Sequence, residues 1–536
     1  MIGFPAPSLR PNRGPHRRGA KVAIRAAATV LTLTLALAGC SSKGDDAPGG
    51  SKDIARGATL SFGLSAEPAG FKTGVDQGSA AREIITLVRR GLLTYDGKGK
   101  VVPALASGYE VSDDGLTYTF TLRDGLKFSN GDSLTSADVK RTFEYLAVPE
   151  NGAAAAADFG NIASIDTPDD TTVVITLSQP QTAFPQVLAD PLSAIVPEEP
   201  LDDNGVPIGD GPFKITDYDK GVSYTLEANP DYFDADSVKL GGIDVTFMAD
   251  AQTRVKALIS GQVQFIDYVA AADFKTLEAA KNVTLKTAPG LYGAVMLNLT
   301  RGPLAVPEVR QALAYAIDLD AYNQAGTLGY GKAGGGLPIS PTTPYYDKEQ
   351  AKHYSHDPAK AKKLLADAGY GDGFTVKLLT NSQYFGYSER AQVVKSDLEA
   401  IGITVDIESG DYANQIAKGN SGDYDLMIGG PSAALLDPSA ITPAFIGGPT
   451  FVRSVGIDQS LYADLLKKGA QTPDGDERKA IYKEIGEIYL KDVPFITTGT
   501  GVAAYAFTDK LQGFEMLSGP IVYSSLYSLA TAGLSK

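Results

Sequence analysis

Residues 374–434 read FTVKLLTNSQYFGYSERAQVVKSDLEAIGITVDIESGDYANQIAKGNSGDYDLMIGGPSAA. Three short runs rich in apolar and β-branched residues, 374–379, 403–407 and 424–428, read as strands. Two polar segments with helical spacing separate them, 388–400 and the shorter 411–418. In the longer one Ala391, Val394, Lys395 and Leu398 fall on one side of a helix. Strands that alternate with helices return parallel to one another, so the stretch predicts an α/β fold with a parallel sheet. Ligands bind such sheets beyond the carboxyl ends of the strands. Three loops leave those ends, 380–384, 409–412 and 429–434, and are expected side by side on a cleft.

Working back along the chain, a strand is expected from Thr59 to Leu64, and residues 83–146 form a series of short strands and turns followed by a helix. Asp113-Asp114-Gly115 and Asn130-Gly131-Asp132 are turns, and Tyr118, Phe120 and Leu122 share one face of a strand. Thr135 and Asp138 have capping-box spacing. Val139, Thr142, Phe143 and Leu146 then make the apolar face of a helix.

This block resembles the extracytoplasmic solute-binding proteins of the oligopeptide/dipeptide/nickel class, which serve ABC importers. The matching residues are Gly91-Leu92-Leu93, Pro103-Ala104-Leu105-Ala106, Asp114-Gly115, Thr117-Tyr118-Thr119-Phe120, Leu122-Arg123, Gly125, Lys127-Phe128 and Asn130-Gly131. Gly209-Asp210-Gly211-Pro212-Phe213-Lys214 is similar to the family's Gly-Thr-Gly-Pro-Tyr/Phe-Lys. Asn298, Pro303-Leu304 and the run from Val309 to Asp318 look like its third lobe, with Pro307 at the first helical position. The run from Asp357 to Tyr370 is a further signature, capped by Asp357, opened by Pro358 and closed by Gly369.

The amino terminus sets the compartment. Arg13, Arg17, Arg18, Lys21 and Arg25 precede an uncharged apolar run, 26–38, that ends in Leu37-Ala38-Gly39-Cys40. A basic region, a short apolar region and small residues before a cleavage site make a secretory signal, with the export route left open. The run is shorter than the roughly 20 apolar residues of a membrane span. Leu-Ala-Gly-Cys resembles the bacterial lipoprotein box, which implies lipidation of Cys40. This is the single Cys of the 536 residues, so no internal disulfide is available. Residues 41–57 read as a flexible tether, and order is expected from about Ala58.

Composition agrees with an exported globular chain. Hydrophobic residues make up 43% and charged residues 21%, and the net charge is −15. An acidic balance argues against nucleic acid and against a basic membrane-binding face. There is no Trp and there are 26 Tyr, so any aromatic platform for a ligand is Tyr or Phe.

Other chemistry is set aside. Gly326 to Lys332 is one residue short of a phosphate-binding loop and is read as a flexible loop. Gly499-x-Gly501-x-x-Ala504 is followed by strand-like Tyr505-Ala506-Phe507 and not by a helix, so it is no dinucleotide fingerprint. His353, His356 and Asp357 are read as a surface turn and no metal is expected. No Gly-x-Ser-x-Gly elbow is present and no enzyme is expected.

The resemblance implies an α/β fold of the type II (cluster C) periplasmic-binding kind, with two main lobes, an extra lobe, mixed sheets and a two-strand hinge near Tyr292 and Thr497. The implied organisation is signal peptide 1–39, tether 40–57, lobe I 58–96, 211–292 and 496–536, lobe II 97–210, and lobe III 293–495. The implied function is capture of a peptide or peptide-sized solute by hinge closure, for delivery to ABC permease and ATPase subunits. A ligand-sensing lipoprotein, or a carrier of a non-peptide solute without a free amine, is the alternative. The chain is expected as a monomer on the outer face of the cytoplasmic membrane, held by the lipid alone and without a cofactor. Expected ligand contacts are Tyr268, Tyr292, Asn381, Tyr384, Tyr412, Gly430, Ser432 and Ala434. Peptide-binding relatives read Gly-Trp-x-x-Asp in the last of the three loops, and the Asp pairs with the peptide ammonium. Here Pro431 and Ala434 hold the Trp and Asp places. The ligand therefore lacks a free α-amine, or another acid such as Glu408 or Asp411 substitutes.

Overall fold

The computed structural model describes residues 54–75, 78–430, 436–447 and 450–536. Ten strands make one sheet: Ala58–Leu64 (β1), Phe213–Asp219 (β2), Ser223–Ala228 (β3), Leu240–Phe247 (β4), Phe265–Ile266 (β5), Val283–Leu297 (β6), Thr375–Asn381 (β7), Thr404–Gly410 (β8), Leu426–Gly429 (β9) and Phe495–Thr508 (β10). Their spatial order is β8-β7-β9-β6-β10-β5-β1-β4-β3-β2. Three helices matter for the site: Leu319–Thr327 (α1), Tyr387–Glu399 (α2) and Tyr412–Ser421 (α3).

The expected parallel unit is present, with β7 paired in parallel to both β8 and β9. Helix α2 joins β7 to β8 and buries Ala391, Val394 and Leu398. Lys395 lies at the edge of that face, where its ammonium donates to the Val405 carbonyl at 2.7 Å. The sheet as a whole is mixed, because β9 meets β6 antiparallel.

Strands β6 and β10 are the longest, at 15 and 14 residues. They pair antiparallel from Val283↔Thr508 to Met296↔Phe495, with register shifts between Pro289 and Tyr292 and between Gly293 and Ala294. Such irregularities bend a strand and increase its local twist. Beyond the bend β6 pairs with β9, while at its other end β10 pairs with β5. Separate apolar cores lie on either side. One gathers Phe62, Ile84, Phe213, Ile243 and Leu526. Another gathers Val295, Leu313, Leu378, Leu398 and Leu426. A further core, around Phe120, Val139, Phe143 and Ile175, is covered by a separate four-stranded sheet. Its helix Ser136–Ala147 carries the capping box expected at Thr135 and Asp138.

Two expectations need correction. Order begins before Ala58, because Ile54–Ala55 pairs antiparallel with Leu534 and Ser535. Two residues are too few to show alternation, so the polar neighbours dominated the reading. The Gly326–Lys332 stretch is not loose either. The Lys332 and Thr500 backbones exchange hydrogen bonds of 3.0 and 2.9 Å, which ties the stretch to β10.

Contacts also join the segment 179–186, beside the four-stranded sheet, to residues near β9 and β10. The Thr182 amide and hydroxyl donate to the carbonyls of Ala470 and Thr472, both at 3.0 Å. The Gln471 amide donates to Gln179 at 2.7 Å, and the Asp437 backbone N–H donates to Gln186 at 3.0 Å. Asp437 is held by the fully buried Arg478 through two bonds of 2.7 and 2.8 Å. A bidentate guanidinium–carboxylate pair fixes geometry as well as charge.

Candidate functional site

A cavity of about 300 Å³ lies where β6 and β10 bend. Tyr292 and Gly293 come from β6, Thr498 to Gly501 from β10, and Gly429 with Gly430 from the end of β9. Helices α1, α2 and α3 supply Tyr322, Asn323, Tyr387, Arg390 and Tyr412, and Phe451 closes the wall. Gly499 has φ +106°, and a Cβ there would meet the Lys332 carbonyl oxygen at 1.9 Å. Only glycine allows that approach.

The one formal charge among the described lining residues is Arg390, and none of the others described is a carboxylate. Its guanidinium carbon lies 5.4 Å from the Tyr322 ring centroid and 6.0 Å from that of Tyr387. Its Nε is buried with no hydrogen-bond partner among the described residues. Gly326 packs beneath it, where a Cβ would stand 1.9 Å from that Nε. A half-buried guanidinium with a free Nε donor is a receptor for a carboxylate or a similar oxyanion.

The tyrosines present neutral hydroxyls. Burial, with neighbouring Tyr387 and Tyr384, pushes the Tyr412 phenol up to about 12. Burial also raises Tyr322, which the Arg390 charge opposes. The Tyr292 hydroxyl, raised by burial, donates to the Ile339 carbonyl.

Of the residues expected from sequence, Tyr292, Tyr412 and Gly430 line the cavity. Tyr384 stands just outside, 37% exposed, with its ring 5.0 Å from that of Tyr412 in an edge contact. Tyr268, 49% exposed as a residue, is on the other side of the bend, and its phenol is raised first by burial and then by the nearby Tyr384 and Tyr387 phenols. Asn381 is a correction. It is fully buried, donates to Gln415 at 2.6 Å and accepts the backbone N–H groups of Gln383 and Tyr384. It shapes the loop and does not line the cavity, because a buried amide needs its partners within the protein. Ser432 and Ala434 lie outside the described residues, as do Cys40, the signal peptide and most of the tether.

Neither substitute acid faces the cavity. Asp411 caps α3 through the Asn414 N–H at 2.7 Å. Glu408 is paired with Lys418 and Lys377. Glu83 and Asp267, next to Tyr268 in the chain, are both buried. Asp267 accepts from the Ser65 backbone and hydroxyl, and burial raises both carboxyls. Arg390, Tyr322 and Tyr387 were not singled out from sequence. The available signal was a cation in the first turn of a helix, where the dipole disfavours it.

Residues 100–451 match the profile of the bacterial extracellular solute-binding proteins, family 5, middle region. The chain belongs to that family. The glutathione-binding protein GsiB of Salmonella typhi is 31% identical over 448 residues, which cover 80% of this chain and 86% of the relative. Among solved structures, the PBP AgaA from A. tumefaciens R10 in complex with agropinic acid is similar, with 35% identity and TM-score 0.79, covering 89% of this chain and 99% of that one. The Helicobacter pylori periplasmic binding protein DppA in complex with the peptide STSA matches with 25% identity and TM-score 0.76, covering 90% and 99%. The fold is therefore that of the type II periplasmic binding proteins. Family 5 members are binding components of ABC importers and not enzymes, and they work with permease and ATPase subunits. This chain is of that extracytoplasmic class, and no helix among the described residues is long and apolar enough to cross a membrane.

Proposed function

We propose that this protein captures a peptide-sized solute that carries a carboxylate and lacks a free α-ammonium, closes around it, and delivers it to an ABC permease. The observation that carries this reading is Arg390 in a cavity whose described lining contains no acid. The loop 431–435, Pro-Ser-Ala-Ala-Leu, has no carboxylate to add. A buried charge that loses its partner costs about 3–5 kcal/mol. The guanidinium thus favours an anionic group, and an ammonium in the same cavity would stand unpaired. Neutral tyrosine hydroxyls and the glycine-rich strand backbones supply the remaining hydrogen bonds. Relatives differ in what they hold: GsiB is named for glutathione, and AgaA holds agropinic acid, which is an acid by name.

Closure is supported by the bend in β6 and β10, which gives the halves of the sheet a place to rotate. On this reading 58–96, 211–292 and 496–536 form one lobe, 97–210 a second and 293–495 the third. Tyr268 and Tyr384, exposed and near enough to interact electrostatically, stand on the two sides that closure brings together. The lipoprotein box at Cys40 supports tethering to the outer face of the cytoplasmic membrane. Mass spectrometry of the solute that co-purifies with the unlipidated protein tests the reading. The expected species has a carboxylate and does not react with primary-amine reagents; a peptide with a free N-terminus would overturn it.

A further inference from the structure

A second cavity, of about 210 Å³, shares no lining residue with the first. It lies where the chain passes from the core containing Val88 to the core containing Leu93 and Tyr95. Its inner end is Arg90, which is 2% exposed. The guanidinium carbon stands 4.7 Å from the Tyr527 ring centroid and 5.6 Å from that of Tyr232. Nη1 donates to the carbonyls of Thr86 and Arg89 at 2.5 and 3.1 Å. The other N–H groups of the fork have no acceptor among the described residues.

Two hydroxyls in the same space are also without partners. Ser524 is 1% exposed and its hydroxyl meets no protein group among the described residues. Thr94 Oγ1 is buried and unpartnered in the same sense. The Asp210 carboxylate beside Arg90 accepts from its backbone N–H and not from its guanidinium, and buried donors left unmade are costly. Three such groups converging on one enclosed space are the complement of a small oxyanion. Packing alone would place apolar side chains there.

The outer end has the opposite sign. Asp96, Asp234 and Glu515 line it, and Asp234 and Glu515 are exposed. Only Asp96 has a structural task, accepting the Lys98 and Lys100 backbone N–H groups at 2.9 Å each. A dianion such as phosphate would be drawn to Arg90 and repelled at the mouth. A ligand with a carboxylate at one end and an ammonium at the other matches both. The volume equals roughly seven waters at about 30 Å³ each, which limits the ligand to a few heavy atoms.

We propose that this cavity is a second binding site, independent of the transport cavity, for a small zwitterion of the α-amino acid class. Its carboxylate takes the free donors of Arg90 with Ser524 and Thr94, and its ammonium points outward to Asp96, Asp234 and Glu515. The site sits between two apolar cores, so an occupant stiffens their junction.

Calorimetry on the full chain carrying Arg390→Gln, which disables the transport cavity, isolates this site. Glycine and L-alanine are expected to bind this variant as they bind the unaltered chain, with acetate at least about tenfold weaker for want of the ammonium and no heat from phosphate. Adding Ser524→Ala is expected to weaken glycine about tenfold, the loss of one hydrogen bond to a charged group. Arg90→Gln is expected to abolish it. If Arg90→Gln fails to fold, Thr94→Val replaces it, with the same tenfold loss expected. Failure of both amino acids to bind, binding unmoved by Ser524→Ala, or phosphate binding as tightly as glycine would each overturn the proposal.

Discussion

Asp210 is buried where the family's motif commonly has threonine, in Gly209-Asp210-Gly211-Pro212. One carboxylate oxygen accepts the Arg90 backbone N–H at 2.8 Å and the other has no partner among the described residues. Burial lifts its pKa from the usual 3.8 to about 7, against the pull of Arg90 and Arg89. The folded value lies above the unfolded one, so the folded state favours the protonated carboxyl. That contribution is complete below pH 3.8 and is lost as the pH rises through about 7. Asp210→Asn keeps the acceptor and removes the titration. It is expected to flatten the pH dependence of stability between those values and to raise stability at about pH 8 by about 2–4 kcal/mol. Denaturant unfolding at acid and alkaline pH checks this, and a variant with the original slope would contradict it. At this scale the sequence was partly legible. Tyr412 and Gly430 fall at the cavity as loops at strand ends lead one to expect, and Tyr292 falls there as the hinge implied by the resemblance does. Asn381 was misplaced because a polar loop residue looks the same whether it meets ligand or holds the loop. Arg390 was missed because arginine on a helix ordinarily reads as solvated.

Between elements, the contacts from 179–186 to 437 and 470–472 tie the segment beside the four-stranded sheet to the part of the chain between β9 and β10. They belong to the closed form on the proposed mechanism. Replacing Gln179 and Gln186 together by Ala removes two of the four hydrogen bonds. At about 1 kcal/mol each, the pair is expected to weaken solute binding by roughly tenfold or more. Thermal stability of the unliganded protein should change little. Small-angle scattering should show a smaller radius of gyration on binding, and a saturated protein with an unchanged radius would count against closure. The strands and helices around this region were legible from local periodicity, as the 374–430 unit shows. The two-residue strands at 54–55 and 265–266 were not, because alternation needs more length. Nor was the ten-strand order, which depends on pairings such as β1 with β5, some 200 residues apart in the chain.

For the molecule as a whole, the proposed anchor is one modified residue, Cys40. Cys40→Ser is expected to release the protein into the soluble fraction, because no helix among the described residues is long and apolar enough to cross a membrane. Retention on membranes after a salt wash would place the anchor elsewhere. Calorimetry reads the charge that the transport cavity selects in its solute. For a carboxylate-bearing peptide that binds, affinity is measured before and after N-acetylation, on the unaltered chain and on Arg390→Gln. Acetylation is expected to leave affinity equal or better, while Arg390→Gln loses about a hundredfold, or about 2.7 kcal/mol. A hundredfold loss on acetylation, with Arg390→Gln binding as before, would contradict the account.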